Sequence, residues 1–195
     1  SHDAQCVTYK GPDVAYQNRE ICLGSNETML SIADVTDKKN PKAIARSSYP
    51  NVGYSHQGWL SEDHRYFYMD DELDELSGTV TRTRTIVWDL TDLDDPQVAY
   101  EYLSPAPASD HNLYIKGDTM YQSNYKAGLR IVDISNRTKP VEVGYFDTVP
   151  YGDDGPGFGG SWSNYPYFKS GNIIVSSMSE GLFVVRKKAP AKPVL

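Results

Sequence analysis

The chain has no run of about 18 apolar residues, the length that a bilayer-crossing helix needs, so no segment reads as a membrane span. It is short of positive charge, with 19 Lys and Arg against 26 Asp and Glu and a net charge of −7. A nucleic-acid surface needs clustered Lys and Arg, so that class is excluded and a solvent-facing or cation-binding protein fits better. Familiar catalytic signatures are missing too: there is neither a Gly-x-Ser-x-Gly elbow nor a His-Glu-x-x-His pair. The Gly-rich stretch 151–160 is not followed by a helical pattern, which separates it from a phosphate cradle and makes it a connection between elements.

Cysteine is scarce as well. Cys6 and Cys22 fall in neighbouring candidate strands, where a hairpin brings them within bridging distance and leaves no thiol over. A disulfide implies an oxidising compartment; the alternative is a pair of small buried thiols. The beginning, Ser1-His2-Asp3, has no initiator Met and reads as a processed or excised start. What the chain has in quantity is 15 Tyr, 15 Gly and 12 Pro, a composition suited to strands and tight turns.

Those strands repeat. Ser31-Ile-Ala-Asp34-Val-Thr, Ile86-Val-Trp-Asp89-Leu-Thr and Arg130-Ile-Val-Asp133-Ile-Ser each carry a β-prone run into Asp, and Pro follows seven residues later at Pro41, Pro96 and Pro140. A fourth copy, Gly181-Leu-Phe-Val-Val-Arg186, replaces the Asp with Arg. A period near 50 residues on strand-type segments marks a repeat architecture. Strands are expected over 4–9, 20–24, 29–35 and 42–47, then near 55–60 and over 65–69, 83–90 and 97–103. The third unit gives 112–115, 119–123, 129–134 and 141–146; the fourth gives only 165–169, 173–177 and 182–185. The fold expected is all-β, a β-propeller-like array of four-stranded antiparallel blades, about four in number with the last incomplete. The blades fall at about 2–50, 55–104, 110–148 and 160–186 of a repeat domain covering 1–186, and 187–195 is a basic, Pro-rich tail or linker. The missing strand implies exposed edges and a larger ring or assembly, completed by other copies or by an N-terminal portion. Asp34, Asp89 and Asp133 are assigned to turn geometry, since Asp accepts backbone N–H groups two residues on.

Five longer stretches add a resemblance. Tyr54-Ser-His-Gln-Gly-Trp-Leu60, Tyr66-Phe-Tyr-Met-Asp-Asp-Glu-Leu-Asp-Glu75, Asp110-His-Asn-Leu-Tyr114, Tyr121-Gln-Ser-Asn-Tyr-Lys-Ala-Gly-Leu-Arg-Ile-Val-Asp133 and Gly144-Tyr-Phe-Asp-Thr148 resemble the choice-of-anchor B family. Its LVIVD repeat is named for a strand that here reads Leu129-Arg-Ile-Val-Asp133, and the likeness runs from His2 to Arg186. The resemblance implies a secreted or surface-anchored propeller-like protein, usually longer at the N-terminus, and implies no reaction.

Three of the four histidines occupy one place in successive units, His2, His56 and His111, where the fourth unit has Trp162. Each lies just before the innermost strand of its blade, on the face where the loops between second and third strands also lie. Those loops hold Asn26, Glu27, Asp71, Glu72 and Asn124, so imidazoles and carboxylates are expected to meet at one channel mouth. That donor set suits a divalent transition metal on His2, His56 and His111. The alternative is a consensus role in which each ring hydrogen-bonds the next blade's backbone. The acidic run 70–75 is a calcium candidate without EF-hand spacing, and reads more simply as a solvated loop. Trp162, with Tyr165 and Tyr167, is a candidate aromatic wall for a sugar, and His64 is off-register and reads as a surface turn. The functions in view are a secreted or cell-surface binding module for an extracellular glycan or protein, a metal-dependent enzyme with a His-rich mouth, and a structural subunit completed by a neighbouring chain.

Overall fold

The structure is a computed structural model that describes residues 1–188; the expected tail beyond 188 lies outside the described residues. Among the described residues, fifteen strands form four separate antiparallel sheets in strict chain order. The first joins β1 (Asp3–Thr8), β2 (Glu20–Ser25), β3 (Leu30–Asp34) and β4 (Lys42–Ser47). The second joins β5 (Ser55–Leu60), β6 (Tyr66–Asp71), β7 (Arg84–Asp89) and β8 (Gln97–Leu103), and the third β9 (Asn112–Lys116), β10 (Thr119–Ser123), β11 (Leu129–Asp133) and β12 (Val141–Phe146). The fourth has three strands, β13 (Ser161–Tyr165), β14 (Asn172–Ser177) and β15 (Gly181–Arg186). One correction to the sequence reading concerns β13, expected at 165–169: the strand begins four residues earlier, at Ser161, which is pinned to the preceding blade by an Ser161 N–H bond to the Tyr125 carbonyl at 2.8 Å. The repeat extends to irregularities. A bulge interrupts the third and fourth strands at Ile32/Ala33, Val87/Trp88 and Ile131/Val132, register-equivalent positions just ahead of the repeated Asp. Those Asp residues do what their spacing predicts, accepting the N–H of Thr36, Thr91 and Ser135 at 2.9, 2.9 and 2.8 Å.

The core is built between blades, because strand side chains alternate faces. Ile21, Leu23, Leu30 and Ile32 of the first blade pack on Phe67, Met69, Ile86 and Trp88 of the second. Tyr68 and Val87 on the second blade's other face pack on Leu113, Met120 and Val132. Leu129 and Ile131 then meet Ile173 and Val175. This succession makes the fourth blade's far face informative. Its Leu182 and Val184 hold the register of Leu30 and Ile32 or Leu129 and Ile131, yet they are 65% and 61% exposed where the others are at most 7%. That face has the chemistry of an interblade contact and nothing on it among the described residues. The innermost strands β1, β5, β9 and β13 stand side by side, which gathers their starts at one end.

Candidate functional site

The starts of the inner strands are tied together by a ladder of histidines. The His2 ring Nδ1 lies 2.9 Å from the His56 carbonyl, His56 Nδ1 2.6 Å from the His111 carbonyl, and His111 Nδ1 2.5 Å from the Trp162 carbonyl. A carbonyl at that distance requires a donor, so Nδ1 of His2 and His56 carries a proton and Nε2 is left for other partners; at His111, where the Asn112 amide nitrogen also lies 2.7 Å from Nδ1, the closer Trp162 carbonyl selects the same tautomer. The Asn112 amide nitrogen donates to the same Trp162 carbonyl at 2.9 Å. The rings stack in succession, with centroids 4.2 Å apart for His2–His56, 4.4 Å for His56–His111 and 4.1 Å for His111–Trp162. The ring-to-backbone role foreseen as an alternative is therefore present, and it leaves the second nitrogen of each ring unspent.

Around these nitrogens lies a cavity of about 350 Å³ lined by His2, Asp3, His56, Glu72, His111, Asn112 and Trp162. Ligand atoms of His56, Glu72 and His111 lie within 4.8 Å of one another, and Glu72 Oε1 is 3.8 Å from His111 Nε2. The structure thus brings Glu72, a loop residue, into the converging set, while His2 lines the cavity from its exposed rim. Burial works against charge on both inner imidazoles. It holds His111 down at about 4, helped by His56 and His2, whereas at His56 the Asp70 carboxylate 3.7 Å away outweighs burial and the affinity for a proton rises. Glu72 accepts the Tyr125 hydroxyl, which fixes it from behind. Tyr125 holds positive φ, and its carbonyl approaches Gly160 so closely that a Cβ there would sit 2.4 Å from it. The Gly-rich connection is thereby anchored beside the mouth, and a larger side chain at Gly160 has no room.

The remaining expected residues divide. Trp162 stands on the rim, 46% exposed. Glu27 is exposed, and its peptide bridges to Ser55 of the next blade while Asn26 donates its N–H to Met29. Asn124 is buried and its amide has no partner among the described residues. Asp71 is spent internally, its Oδ2 accepting the Tyr49 hydroxyl at 2.7 Å and the Gly53 N–H at 2.8 Å, and its Oδ1 the Tyr54 N–H. The solvated acidic loop needs correction. Asp70, Asp71, Asp74 and Glu75 are all buried, and Arg84, 1% exposed, lies against them with Nε 2.8 Å from Asp74. The oxygens of Asp71 are engaged within the fold, while one oxygen each of Asp70, Asp74 and Glu75 has no hydrogen-bond partner among the described residues. His64 does turn the chain at positive φ, and its Nδ1 accepts the Lys10 N–H at 3.1 Å. Sequence reasoning placed Tyr125 in a mouth loop without a role and passed over Asn112 and Arg84; Asn112 directly follows a ladder histidine and Arg84 opens a strand that is apolar from Ile86 to Trp88, which are the signals available for them. A second acidic group, Asp13, Asp92 and Asp94, already bonds backbone and Tyr16 groups.

Sheets in chain order, packed face on face with inner strands gathered at a common mouth, define a β-propeller. Residues 110–148, the third blade, match the family model of the LVIVD repeat. No curated protein matches the chain. Among solved structures it is similar to the periplasmic gluconolactonase PpgL of Pseudomonas aeruginosa, at 13% identity and TM-score 0.61, covering 88% of this chain and 54% of that one. A protein from Lactobacillus plantarum is similar at 11% identity and TM-score 0.65, with 87% and 54% covered. The β-propeller domain of Cps50 (Swd1) from Myceliophteria thermophila is similar at 14% identity and TM-score 0.54, with 95% and 52% covered. The chain spans about half the length of these structures, and at such identities the likeness shows the fold alone.

Proposed function

We propose that the chain is a secreted, cell-surface or periplasmic binding propeller whose channel mouth takes a small polyhydroxylated or carboxylate-bearing ligand, of the kind found in glycans. The observation that carries the reading is the cavity of about 350 Å³, where register-equivalent residues converge and Trp162 offers a half-exposed aromatic face beside Asp3, Glu72 and Asn112. Aromatic faces stack on sugar C–H groups while carboxylates and amides bond hydroxyls, and few polar groups in a concave site set orientation. The disulfide, a periplasmic neighbour and the likeness to the choice-of-anchor B family are compatible with an oxidising compartment. A larger groove of about 550 Å³ between β12 and β15 is mostly apolar and fits a packing surface better than a polar ligand. Gluconate, glucuronate, δ-gluconolactone and simple hexoses are suitable probes, titrated against intrinsic fluorescence. Trp88 is buried and Trp59 half-buried, so Trp162 is the tryptophan that a mouth ligand reaches. We expect saturable quenching by at least one probe, abolished by Trp162→Phe; no saturable response from the whole panel would reject this ligand class.

Completion of the ring belongs to the same reading. The exposed Leu182 and Val184 face needs a second sheet with an apolar face, and we commit to a second copy of this chain as its source. The copy offers a shallow first blade, where Gly24, Ser31 and Ala33 stand in place of the large residues found there in blades two to four. Four blades from each copy give a count within the range of closed propellers, about 4–8. Light scattering is expected to give twice the mass of 21.8 kDa, falling to the single mass in Val184→Asp. A monomer at tens of micromolar would reject this occupant.

A further inference from the structure

We propose that the channel mouth holds a divalent transition metal of the zinc type, bound by Nε2 of His56, Nε2 of His111 and the carboxylate of Glu72. The inference rests on the reading of this mouth as the binding site and names an inorganic component for it. Zinc bonds imidazole nitrogen at about 2.0–2.1 Å and carboxylate oxygen at about 2.0–2.2 Å, so tetrahedral ligand atoms stand roughly 3.3 Å apart. The three side chains already bring one ring nitrogen or carboxylate oxygen each within 4.8 Å of one another, with His111 Nε2 and Glu72 Oε1 at 3.8 Å.

The surroundings separate a metal site from a ladder of purely structural rings. A structural ladder needs only the Nδ1–H groups. Here those groups bond backbone carbonyls at 2.6 and 2.5 Å, which fixes the tautomer that leaves Nε2 free, and this outer arrangement is the one ligating histidines use. A ladder has no call for a carboxylate opposite Nε2, yet Glu72 is there, set by the Tyr125 hydroxyl. Among the described residues no Lys or Arg pairs with Glu72; the neutral His111 ring faces it instead, Nε2 to Oε1 at 3.8 Å. Imidazole nitrogens select a transition metal over calcium or magnesium. Three protein ligands leave a coordination position open toward the cavity, where His2, water or a hydroxyl or carboxylate of the ligand completes the shell.

The test uses the full chain stripped with chelator and titrated with zinc chloride, then with cobalt chloride. One equivalent of zinc is expected, with a rise in melting temperature, and the cobalt form is expected to show the strong visible absorption of a four- or five-coordinate site. His111→Asn and His56→Asn are the informative variants, because the Asn amide nitrogen stands near the place of Nδ1 and keeps the rung while deleting Nε2. Each is expected to melt near the parent and to weaken zinc at least about tenfold, as is Glu72→Gln, while Tyr125→Phe weakens it by roughly 10-fold through loss of orientation. His64→Ala is expected to bind as the parent does. Zinc binding that survives the Asn and Gln variants, or its absence from folded parent protein, overturns the metal site. Probe quenching at Trp162 measured in chelator reports the mouth separately, so a failed metal site and a failed ligand site give different results.

Discussion

Arg84→Ala is expected to cost about 3–5 kcal/mol, the range found when one partner of a buried charge network is removed. The guanidinium bonds Asp74 at 2.8 Å, donates to the carbonyls of Pro50 and Asn51 at 3.1 and 2.8 Å, and lies 3.8 Å from Asp71 and 3.6 Å from Glu101. Its face stacks over Tyr49 at 5.5 Å. Alanine strands two buried carboxylates without a counter-charge and two carbonyls without donors, in a domain whose whole stability is of the order of 5–15 kcal/mol. Lysine restores the charge but not the fork that serves Asp74 and both carbonyls, so Arg84→Lys is expected to recover only part of the loss. Urea denaturation measures it; a cost below about 1 kcal/mol, typical of a surface pair, would mean the network is not the anchor of this loop.

Glu75 supplies an internal control on that account. Burial, and then the charge of Asp74 beside it, push the Glu75 acid far above its ordinary 4.5, while its Oε1 accepts the Arg84 N–H at 2.9 Å. A group whose folded pKa is raised contributes stability that is full below its unfolded value and is lost as pH climbs toward the folded one. Stability is therefore expected to decline from mildly acidic into alkaline pH. Glu75→Gln, which keeps an acceptor and a donor without an ionisable proton, is expected to flatten that slope. An unchanged slope in melting temperature between pH 6 and 9 would place the lost proton elsewhere.

The same two neighbourhoods show what the sequence discloses and what it hides. Asp34, Asp89 and Asp133 repeat with Pro at fixed distance because each must turn the chain after a bulge, and a local device recurs locally, so it is legible. The histidines are legible for the same reason, since a rung of the ladder needs a donor at the same place in each blade. Glu72 is not. It belongs to one loop of one blade, and nothing in Asp70-Asp-Glu-Leu-Asp-Glu75 distinguishes a residue that reaches the mouth from those that turn inward to Arg84. Burial of this run reads as unlikely from composition, because carboxylates are rarely enclosed without partners; the partners come from Arg84, Tyr49 and the backbone of residues 53–54, brought in by tertiary packing. The start of β13 was hidden likewise, being set by a bridge from Tyr125 to Ser161 across blades.

Breaking the one disulfide is the other large expected effect. Cys6 and Cys22 face each other across β1 and β2 and are bonded, closing a loop of sequence separation 16. Closing a loop of that length is worth about 3 kcal/mol in the chain-entropy account. For a chain of this size that corresponds to roughly 6–12 °C in melting temperature. The bond matters more here than its loop length suggests, because β1 has only one strand neighbour in its sheet and its residues Ala4, Cys6 and Thr8 are exposed. That strand also carries Asp3, and His2 just ahead of it, to the rim of the mouth. The double variant Cys6→Ser/Cys22→Ser is therefore expected to melt lower by this amount and to exchange the amide hydrogens of β1 well before those of β6 or β7. Treatment of the parent with reductant should reproduce both changes. Equal melting of the reduced and oxidised forms would leave the first blade held by packing alone.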